Sequence, residues 1–158
     1  MPSDLTVNVG DCVLNLRVGA IITKGNAVLM VRNPKYPWYY SVGGRIQAGE
    51  TSEQAVVREV AEELGTRLEI DRLGFIHEAF FYDQDKNAGK QVYEVCFYYY
   101  MRSGADFDLP QSFPTADGSG EFLEWVPFDT PTQLFPAFFK TELWTPKPGV
   151  VHVVTDER

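Results

Sequence analysis

The stretch from Gly44 to Thr66 decides the fold of this chain and reads GRIQAGETSEQAVVREVAEELGT. Its second half predicts an amphipathic helix, because apolar residues recur at helical spacing: Ala55, Val56, Val60, Ala61 and Leu64. Thr51 followed three residues later by Gln54 is typical of a capping box, and Gly65 is a typical C′ residue. Glycines ahead of the helix predict a loop with tight turns that approaches a ligand with bare backbone: Gly43, Gly44 and Gly49. The stretch therefore predicts a loop, a helix and a second loop.

Three glutamates of this helix, Glu59, Glu62 and Glu63, are spaced i, i+3 and i+4, so they lie on one face. We expect that face to point out of the core. Like charges at this spacing repel each other by about 0.2–0.5 kcal/mol per pair, which a divalent cation would offset. Mg²⁺ and Mn²⁺ prefer carboxylate oxygens and water. A cation held in this way can polarise phosphate oxygens and lower the pKa of a bound water.

The whole stretch resembles the Nudix box of the Nudix (MutT-like) hydrolase family, Gly-x5-Glu-x7-Arg-Glu-U-x-Glu-Glu-x-Gly-U, where U is aliphatic. The residues that match are Gly44, Glu50, Arg58, Glu59, Val60, Glu62, Glu63 and Gly65. Thr66 departs from the pattern, which concerns the packing of the loop after the helix more than the chemistry. The resemblance implies an α/β fold, namely an α/β/α sandwich with a mixed β-sheet, and a single domain over residues 1–158.

The resemblance also implies roles for the residues of the box. Mg²⁺, or Mn²⁺ in its place, would be bound at or near Gly44, Glu50, Glu59, Glu62 and Glu63. Arg58 would orient the acids and act with Glu59 and Glu62 in catalysis. The alternatives are a solvated acidic helix face and, for Arg58, an ordinary surface salt bridge.

Beyond the box, many Nudix enzymes carry a further glutamate as a metal ligand or as the base that activates water. Glu121, which follows a long polar segment, is the first candidate, and Glu94 is the second. Glu78 and Glu124 are interpreted as solvated. The histidines His77 and His152 alternate with apolar residues in predicted strands and are interpreted as structural.

Candidate substrate contacts cluster just before the box. A nucleobase could stack on a ring of the segment 36–40, although core or rim packing is the alternative for most of these rings: Tyr36, Trp38, Tyr39 and Tyr40. Arg32, Lys35 and Arg45 are candidate phosphate contacts by position alone. Tyr82 lies at the distance from the box where diadenosine-polyphosphate enzymes carry a tyrosine.

The rest of the chain predicts strands on both sides of the helix. They are expected at 12–23, 27–32, 68–82, 91–101, 121–127 and 150–154. The first two should form a hairpin and the next two an antiparallel ribbon, whose aromatic strand would suit the edge of a homodimer. Residues 1–11 are expected to be loose or a short edge strand, 33–40 a loop, and 103–119 a substrate-facing loop. Thr130 should begin a helix that breaks at Pro136, with a second short helix through Leu143.

Composition limits the class of protein. The chain has 158 residues, 44% of them hydrophobic, which suits one globular core. Its net charge of −8 argues against broad binding to nucleic acid or to anionic membranes. Cys12 and Cys96 are interpreted as buried free thiols. Neither a signal sequence nor an apolar run long enough for a membrane is found, so a cytoplasmic location is expected.

The predicted reaction is metal-assisted hydrolysis of a diphosphate linkage, in which an activated water attacks one phosphorus. The resemblance implies a nucleoside diphosphate derivative as the substrate class. Similarity of the box to MutT-like boxes favours a nucleoside triphosphate. ADP-ribose, diadenosine polyphosphates and other nucleotide sugars are alternatives. A regulatory module that binds nucleotides without cleaving them is an alternative of another class, as is a protein-interaction domain.

Overall fold

A computed structural model describes residues 3–85, 88–104 and 107–158, and within these ranges the chain forms one mixed sheet of eleven strands with two helices. The strands are β1 (Thr6–Val9), β2 (Cys12–Ile21), β3 (Thr23–Lys24), β4 (Ala27–Arg32), β5 (Tyr39–Arg45), β6 (Glu69–Tyr82), β7 (Gln91–Arg102), β8 (Ser112–Pro114), β9 (Phe122–Pro127), β10 (Leu134–Phe135) and β11 (Val151–Asp156). The helices are α1 (Ser52–Leu64) and α2 (Phe139–Glu142). The α/β fold with a mixed sheet is confirmed. The helical layer opposite α1 contains only the four residues of α2 among those described.

The order of the strands places β2 at the centre of the sheet. The order is β11-β6-β7-β2-β5-β4-β9-β8, with β1 beside β2, β10 beside β5 and β3 beside β4. β2 is parallel to β7 and antiparallel to β5. β6 and β7 form the predicted antiparallel ribbon, and β11 lies parallel to β6. Because β7 has a partner on each side, it cannot serve as the edge of a dimer, and that part of the prediction is wrong.

Helix α1 begins and ends where its sequence predicts. The Thr51 hydroxyl accepts from the Gln54 backbone at 3.1 Å, and the Gln54 side chain accepts from the Thr51 backbone at 3.0 Å. Gly65 has φ 73°, a left-handed conformation that favours glycine, and donates to the Ala61 carbonyl. Val56 and Val60 are fully buried against the sheet. Thr66 is exposed, so an aliphatic residue there would bury little surface.

The two sides of the sheet carry separate cores. On the side covered by α1, called the helix face below, Val18 packs with Val56 of the helix. On the opposite side, called the far face, Ile21 and Met30 pack with Phe139 of α2. Because successive residues of a strand point to opposite faces, two adjacent side chains lie in different environments, one on the helix face and one on the far face.

Three local predictions are corrected by the structure. The hairpin pairs only β3 with the start of β4, because β2 is held between β5 and β7. The predicted loop 33–40 ends in strand β5, and Gly43 and Gly44 lie in that strand instead of in a loop. No helix begins at Thr130, because β10 there pairs in parallel with Tyr39 and Tyr40 before Pro136.

Other features agree with expectation or qualify it. β1 is the predicted short edge strand, and residues 1–2 lie outside the described ranges. The segment 103–119 is irregular apart from β8, and its residues 105–106 are also outside those ranges. Both cysteines are free thiols; Cys96 is buried, whereas Cys12 is only half-buried. Neither helix of the described chain has the length and apolar character needed to cross a membrane.

Candidate active site

The box forms where strand β5 meets helix α1. Gly44 pairs with Val18 in the sheet and faces Glu59 on the helix. A Cβ atom added to Gly44 would lie 2.4 Å from both Cδ and Oε1 of Glu59, closer than any real contact. Gly44 therefore leaves room for the Glu59 carboxylate in this position, and it lies in a strand instead of the tight turn that the sequence suggested.

Arg58 joins the acids of the box. Its Nε and Nη2 donate to the two oxygens of Glu50 at 2.6 and 2.9 Å, and Nη2 also donates to the Arg45 carbonyl at 3.0 Å. Its Nη1 donates to Glu59 Oε1 at 2.9 Å and reaches Glu62 at 3.4 Å. A forked pair of this kind fixes both side chains in orientation. The arrangement matches the orienting role that the resemblance implies for Arg58.

Arg58 affects the two acids differently. The hydrogen bonds from Arg58 hold the pKa of Glu50 below its usual range. The pKa of Glu59 is raised, because burial outweighs the attraction of Arg58 and the charge of Glu62 adds to the effect. The expectation that all three helix acids point out of the core is therefore wrong for Glu59 and Glu63, which are half-buried, and right for Glu62, which is exposed.

Glu63 is the least satisfied acid of the site. Its Oε2 atom is buried without a hydrogen-bond partner in the described chain, although the backbone of Gly43 supports the carboxylate. Burial, followed by the negative charge of Glu59, raises the pKa of Glu63 to about 9. Its backbone carbonyl accepts from Ala116 at 2.8 Å, which ties the segment after β8 to the end of α1. A carboxylate in this environment needs a cation or a proton.

The chemistry of these acids suits a divalent cation. They offer hard carboxylate oxygens, and Oε2 of Glu63 is a buried acceptor that no group of the described chain satisfies. Within residues 3–85, 88–104 and 107–158, no three histidine, cysteine, aspartate or glutamate side chains are already arranged to hold a metal ion. Instead, Arg58 contacts both Glu59 and Glu62. The Glu62 side chain is 51% exposed, so it has room to turn toward a cation.

Glu121 joins this site from a distant part of the sequence. It precedes β9, and its charge contributes to the raised pKa of Glu63. Its carboxylate accepts from Asn33 Nδ2 and from Ser119 Oγ, each at 3.3 Å. Glu94, the other candidate, lies on the far face between the buried residues Val92 and Cys96. There it pairs with Arg17 at 3.6 Å, so the two candidates are separated by the sheet.

Four rings form a half-exposed cluster on the helix face, called the aromatic wall below: Tyr36, Trp38, Tyr40 and Phe135. Tyr36 stacks on Trp38 with centroids 5.0 Å apart, and Tyr40 lies nearly parallel to Phe135 at 6.3 Å. The pKa of Tyr40 is raised, by burial first and also by the charge of Glu121. The aromatic wall therefore lies near Glu121, through its member Tyr40.

Phe135 and Asn33 belong to this site but were not among the predicted residues. Phe135 reaches Tyr40 because β10 pairs with the start of β5. No local pattern signals a two-residue strand ahead of a proline. The sequence places Asn33 directly after the predicted strand 27–32. Its hydrogen bond to Glu121 could not be predicted, because the two residues are 88 positions apart.

Other predicted residues are not brought to the acids. Arg32 lies on the far face, where its Nε donates to Glu124 at 2.6 Å, and Glu124 also accepts from Tyr39 at 2.8 Å. Tyr82 is at the Cys12 end of the sheet, about 20 Å along the strands from Gly44 in register.

Lys35 is exposed, and Arg45 contributes its carbonyl to Arg58 while its side chain lies 3.8 Å from Asp4.

The other acids and histidines named from the sequence have partners away from the box. Glu78 accepts from Tyr93 at 2.6 Å and contacts His152, so it is not simply solvated as predicted, and neither is Glu124. His77 is buried, and its Nε2 lies 2.8 Å from the Thr155 hydroxyl. Burial lowers the pKa of His77 to about 4, as expected for a neutral structural histidine.

Comparisons with known proteins agree with the box and the fold. The family model for the NUDIX domain matches residues 13–147. The NAD-capped RNA hydrolase NudC of Pseudomonas aeruginosa is 45% identical over 58 residues, which are 35% of this chain and 20% of that protein. The matched region thus spans about a fifth of that curated relative.

Two solved structures show the same fold at low sequence identity. A MutT protein from Bacillus halodurans has a TM-score of 0.59 and 22% identity over 89% of this chain and 90% of that one. An ADP-ribose pyrophosphatase from Streptococcus suis has a TM-score of 0.55 and 19% identity over 88% and 98% of the two chains. With the family match covering most of the sequence, the chain belongs to the NUDIX domain family, as the resemblance of its box to Nudix hydrolases predicts.

Proposed function

We propose that this chain hydrolyses a diphosphate linkage in a nucleotide derivative at the acids of α1. The observation that carries the proposal is Glu63, whose buried Oε2 has no partner in the described chain and whose pKa is raised to about 9 beside Glu59. Burial of the ionised form is unfavourable without a partner, so a cation-dependent role explains why this carboxylate is there. Glu59, Glu62 and Glu63 would hold Mg²⁺ or Mn²⁺, which when bound polarises phosphate oxygens and lowers the pKa of a water.

The other residues of the box prepare these acids. Arg58 holds Glu50 and Glu59 in fixed orientation through hydrogen bonds of 2.6 to 2.9 Å. Gly44 leaves room for the Glu59 carboxylate against the strand. In phosphoryl transfer, positioning and neutralisation of charge supply most of the rate enhancement. These residues therefore contribute by fixing geometry before the substrate arrives.

Glu121 is proposed as the base that takes a proton from the attacking water. Its carboxylate is oriented by Asn33 and Ser119, and its charge acts on Glu63. Position on the helix face favours Glu121 over Glu94, which is paired with Arg17 on the far face. A general base needs to lie within hydrogen-bond reach of the water it activates.

The aromatic wall supports a substrate that carries a base. The rings of the aromatic wall, near Glu121, offer a flat apolar surface on which a nucleobase can stack. Such stacking is worth about 1–3 kcal/mol per base. Similarity of the box to MutT-like boxes favours a nucleoside triphosphate, with ADP-ribose and other dinucleotide or nucleotide-sugar compounds as the alternative. The NudC relative acts on NAD-capped RNA, which adds a dinucleotide end to the substrates worth testing. The net charge of −8 disfavours broad contact with the body of a nucleic acid, and a cytoplasmic small-molecule role follows as part of the proposal.

The test is chromatographic detection of the cleaved products from a panel containing nucleoside triphosphates, ADP-ribose, NAD and diadenosine polyphosphates, with Mg²⁺ and with EDTA, because hydrolysis of ADP-ribose or NAD gives two phosphate monoesters and no free phosphate. The wild type is compared with Glu63→Gln and with the control Glu53→Gln, an exposed position in the first turn of the same helix. We expect turnover that needs the cation, is retained in the control and is lost in Glu63→Gln. Nucleotide binding without turnover of any compound would favour the regulatory module instead.

A further inference from the structure

A cavity of about 330 Å³ opens on the far face of the sheet, beside α2 and away from the box. Its walls include Arg72 of β6, Tyr100 of β7, Phe128 after β9 and Trp144 after α2. None of its lining residues belongs to the aromatic wall or to the acids of the box, which are Glu50, Glu59, Glu62 and Glu63. The volume is at the lower end of the range for small-molecule sites, enough for a compound with one ring system.

Arg72 gives this cavity a positive charge beside Asp71, an acid that also lines it, and no ion pair joins Arg72 to a carboxylate of the described chain. Its guanidinium lies 4.5 Å from the centroid of the Tyr100 ring, and Nη2 donates to the Lys147 carbonyl at 2.8 Å. The two acids nearby have other partners. Asp71 lies 3.4 Å from Arg102, and Glu142 lies 3.7 Å from Lys147. Arg72 is thus held in place at the wall with donors left for an anion.

Tyr100 adds a second unsatisfied group. Its hydroxyl is buried and has no hydrogen-bond partner among the described residues. The ring is seated over Gly74, where a Cβ would lie 2.5 Å from the ring, so the backbone leaves space for this orientation. Because protein atoms enclose this hydroxyl, a ligand in the cavity would contact the ring of Tyr100 and not its oxygen.

Trp144 supplies an apolar surface at the mouth of the cavity. Its ring is 46% exposed, although it is fixed by an edge-to-face contact with Phe128 at 5.2 Å and by a hydrogen bond from Nε1 to the Lys140 carbonyl at 2.8 Å. An exposed ring that is held at both ends is a suitable surface for a flat ligand.

We propose that this cavity is a second binding site, for a small aromatic oxyanion. The carboxylate or phosphate of the ligand accepts from Arg72, while its ring packs on Trp144 and Phe128. An aromatic carboxylate and a nucleoside monophosphate share this chemistry. The proposal does not depend on hydrolysis at the box.

The experiment is titration calorimetry of the whole chain with benzoate, AMP, inorganic phosphate and benzyl alcohol, up to about 10 mM, which detects dissociation constants near 1 mM. The wild type is compared with Arg72→Met, Tyr100→Phe and the control Arg67→Met, an exposed arginine next to α1. We expect benzoate or AMP to bind, benzyl alcohol not to bind, and Arg72→Met to weaken binding by at least about tenfold. Tyr100→Phe, which keeps the ring and removes only the enclosed hydroxyl, should leave binding unchanged, and so should Arg67→Met.

Two further comparisons locate the site and distinguish its ligands. Binding should quench tryptophan fluorescence in the wild type but not in Trp144→Phe, and it should persist in Glu63→Gln. Binding of AMP but not of benzoate would identify a nucleotide, and binding of both would identify the oxyanion and ring as the features recognised. Absence of binding by every probe, or equal binding by the wild type and a folded Arg72→Met, would overturn the proposal.

Discussion

Glu63 of α1 and Glu124 of β9 are half-buried glutamates on opposite sides of one sheet, yet their states are opposite. Glu124 accepts from Arg32 and Tyr39 at 2.6 and 2.8 Å, and although burial acts against it, these bonds leave its pKa lowered. Glu63 has an oxygen without a partner in the described chain and a pKa raised to about 9. The bonds to Glu124 are consistent with a structural role, whereas the unsatisfied oxygen of Glu63 supports the proposed role of binding a cation.

The largest expected effect is on catalysis. Glu63→Gln should lower kcat by at least about 100-fold, because it removes a carboxylate that would hold the cation needed for the reaction. Glu124→Gln should keep kcat within about threefold of the wild type while lowering stability, since it removes partners of Arg32 and Tyr39. Steady-state kinetics and thermal unfolding of both variants measure the contrast. Equal loss of kcat in the two would erase the distinction between the faces.

Arg58 on the helix face and Arg32 on the far face should likewise differ in their effects on catalysis and on stability. Arg58→Lys loses the forked contact with Glu50, and we expect kcat to fall by about 10- to 100-fold with little change in KM, the range typical of residues that orient ligands. Arg32→Lys, at the far-face pair, should alter the melting temperature but not kcat. Activity of Arg58→Lys at the wild-type level would remove Arg58 from the positioning role.

A smaller effect is expected at the aromatic wall. Phe135→Leu and Tyr40→Leu should raise KM for nucleotide substrates by about fivefold or more, in line with the loss of a stacked ring. Turnover of inorganic tripolyphosphate, which has no base, should be unchanged in both variants. Tyr82→Leu, at the remote end of the sheet, serves as the control. If both substrates responded equally, the wall would have a packing role instead of a binding role.

The smallest effect concerns the pH dependence of stability without metal. Because the pKa of Glu63 is raised in the folded state, folding retains a proton that the unfolded chain releases above about pH 4.5. Stability conferred by the protonated form is therefore lost as pH rises toward 9. Glu63→Gln should flatten this decline by about 3 °C or more in melting temperature between pH 5 and pH 8.

For Glu124 we expect the opposite pH dependence of stability. Its lowered pKa contributes stability that is present above the unfolded pKa and is lost as the pH falls through the folded value. Glu124→Gln should therefore flatten the loss of stability below about pH 4.5 and leave the alkaline side unchanged. Thermal unfolding in EDTA across pH 3 to 9 records both variants. An identical profile for the two would contradict the assigned directions.

Local chemistry made much of the box predictable. The caps of α1, its buried stripe and the pair of Arg58 with Glu50 all depend on residues a few positions apart. The tight turn predicted at Gly44 is wrong, because Gly44 lies in β5 opposite Glu59, which is 15 positions away in the sequence. The hairpin is confirmed only for β3 and the start of β4, because β2 pairs with β5 and β7. The helix predicted at Thr130 is wrong, because pairing of β10 with β5 outweighs the local capping preference.

The family, the helix and the identity of its acids can be predicted from the amino-acid sequence, because spacing along one helix fixes which side chains share a face. Which distant residues join those acids depends on how the strands pair. Glu121 reaches the helix face whereas Glu94 and Arg32 reach the far face, and Phe135 meets Tyr40 across strands. The physical reason is the two-residue period of a strand: a shift of one position in register moves a side chain to the other side of the sheet.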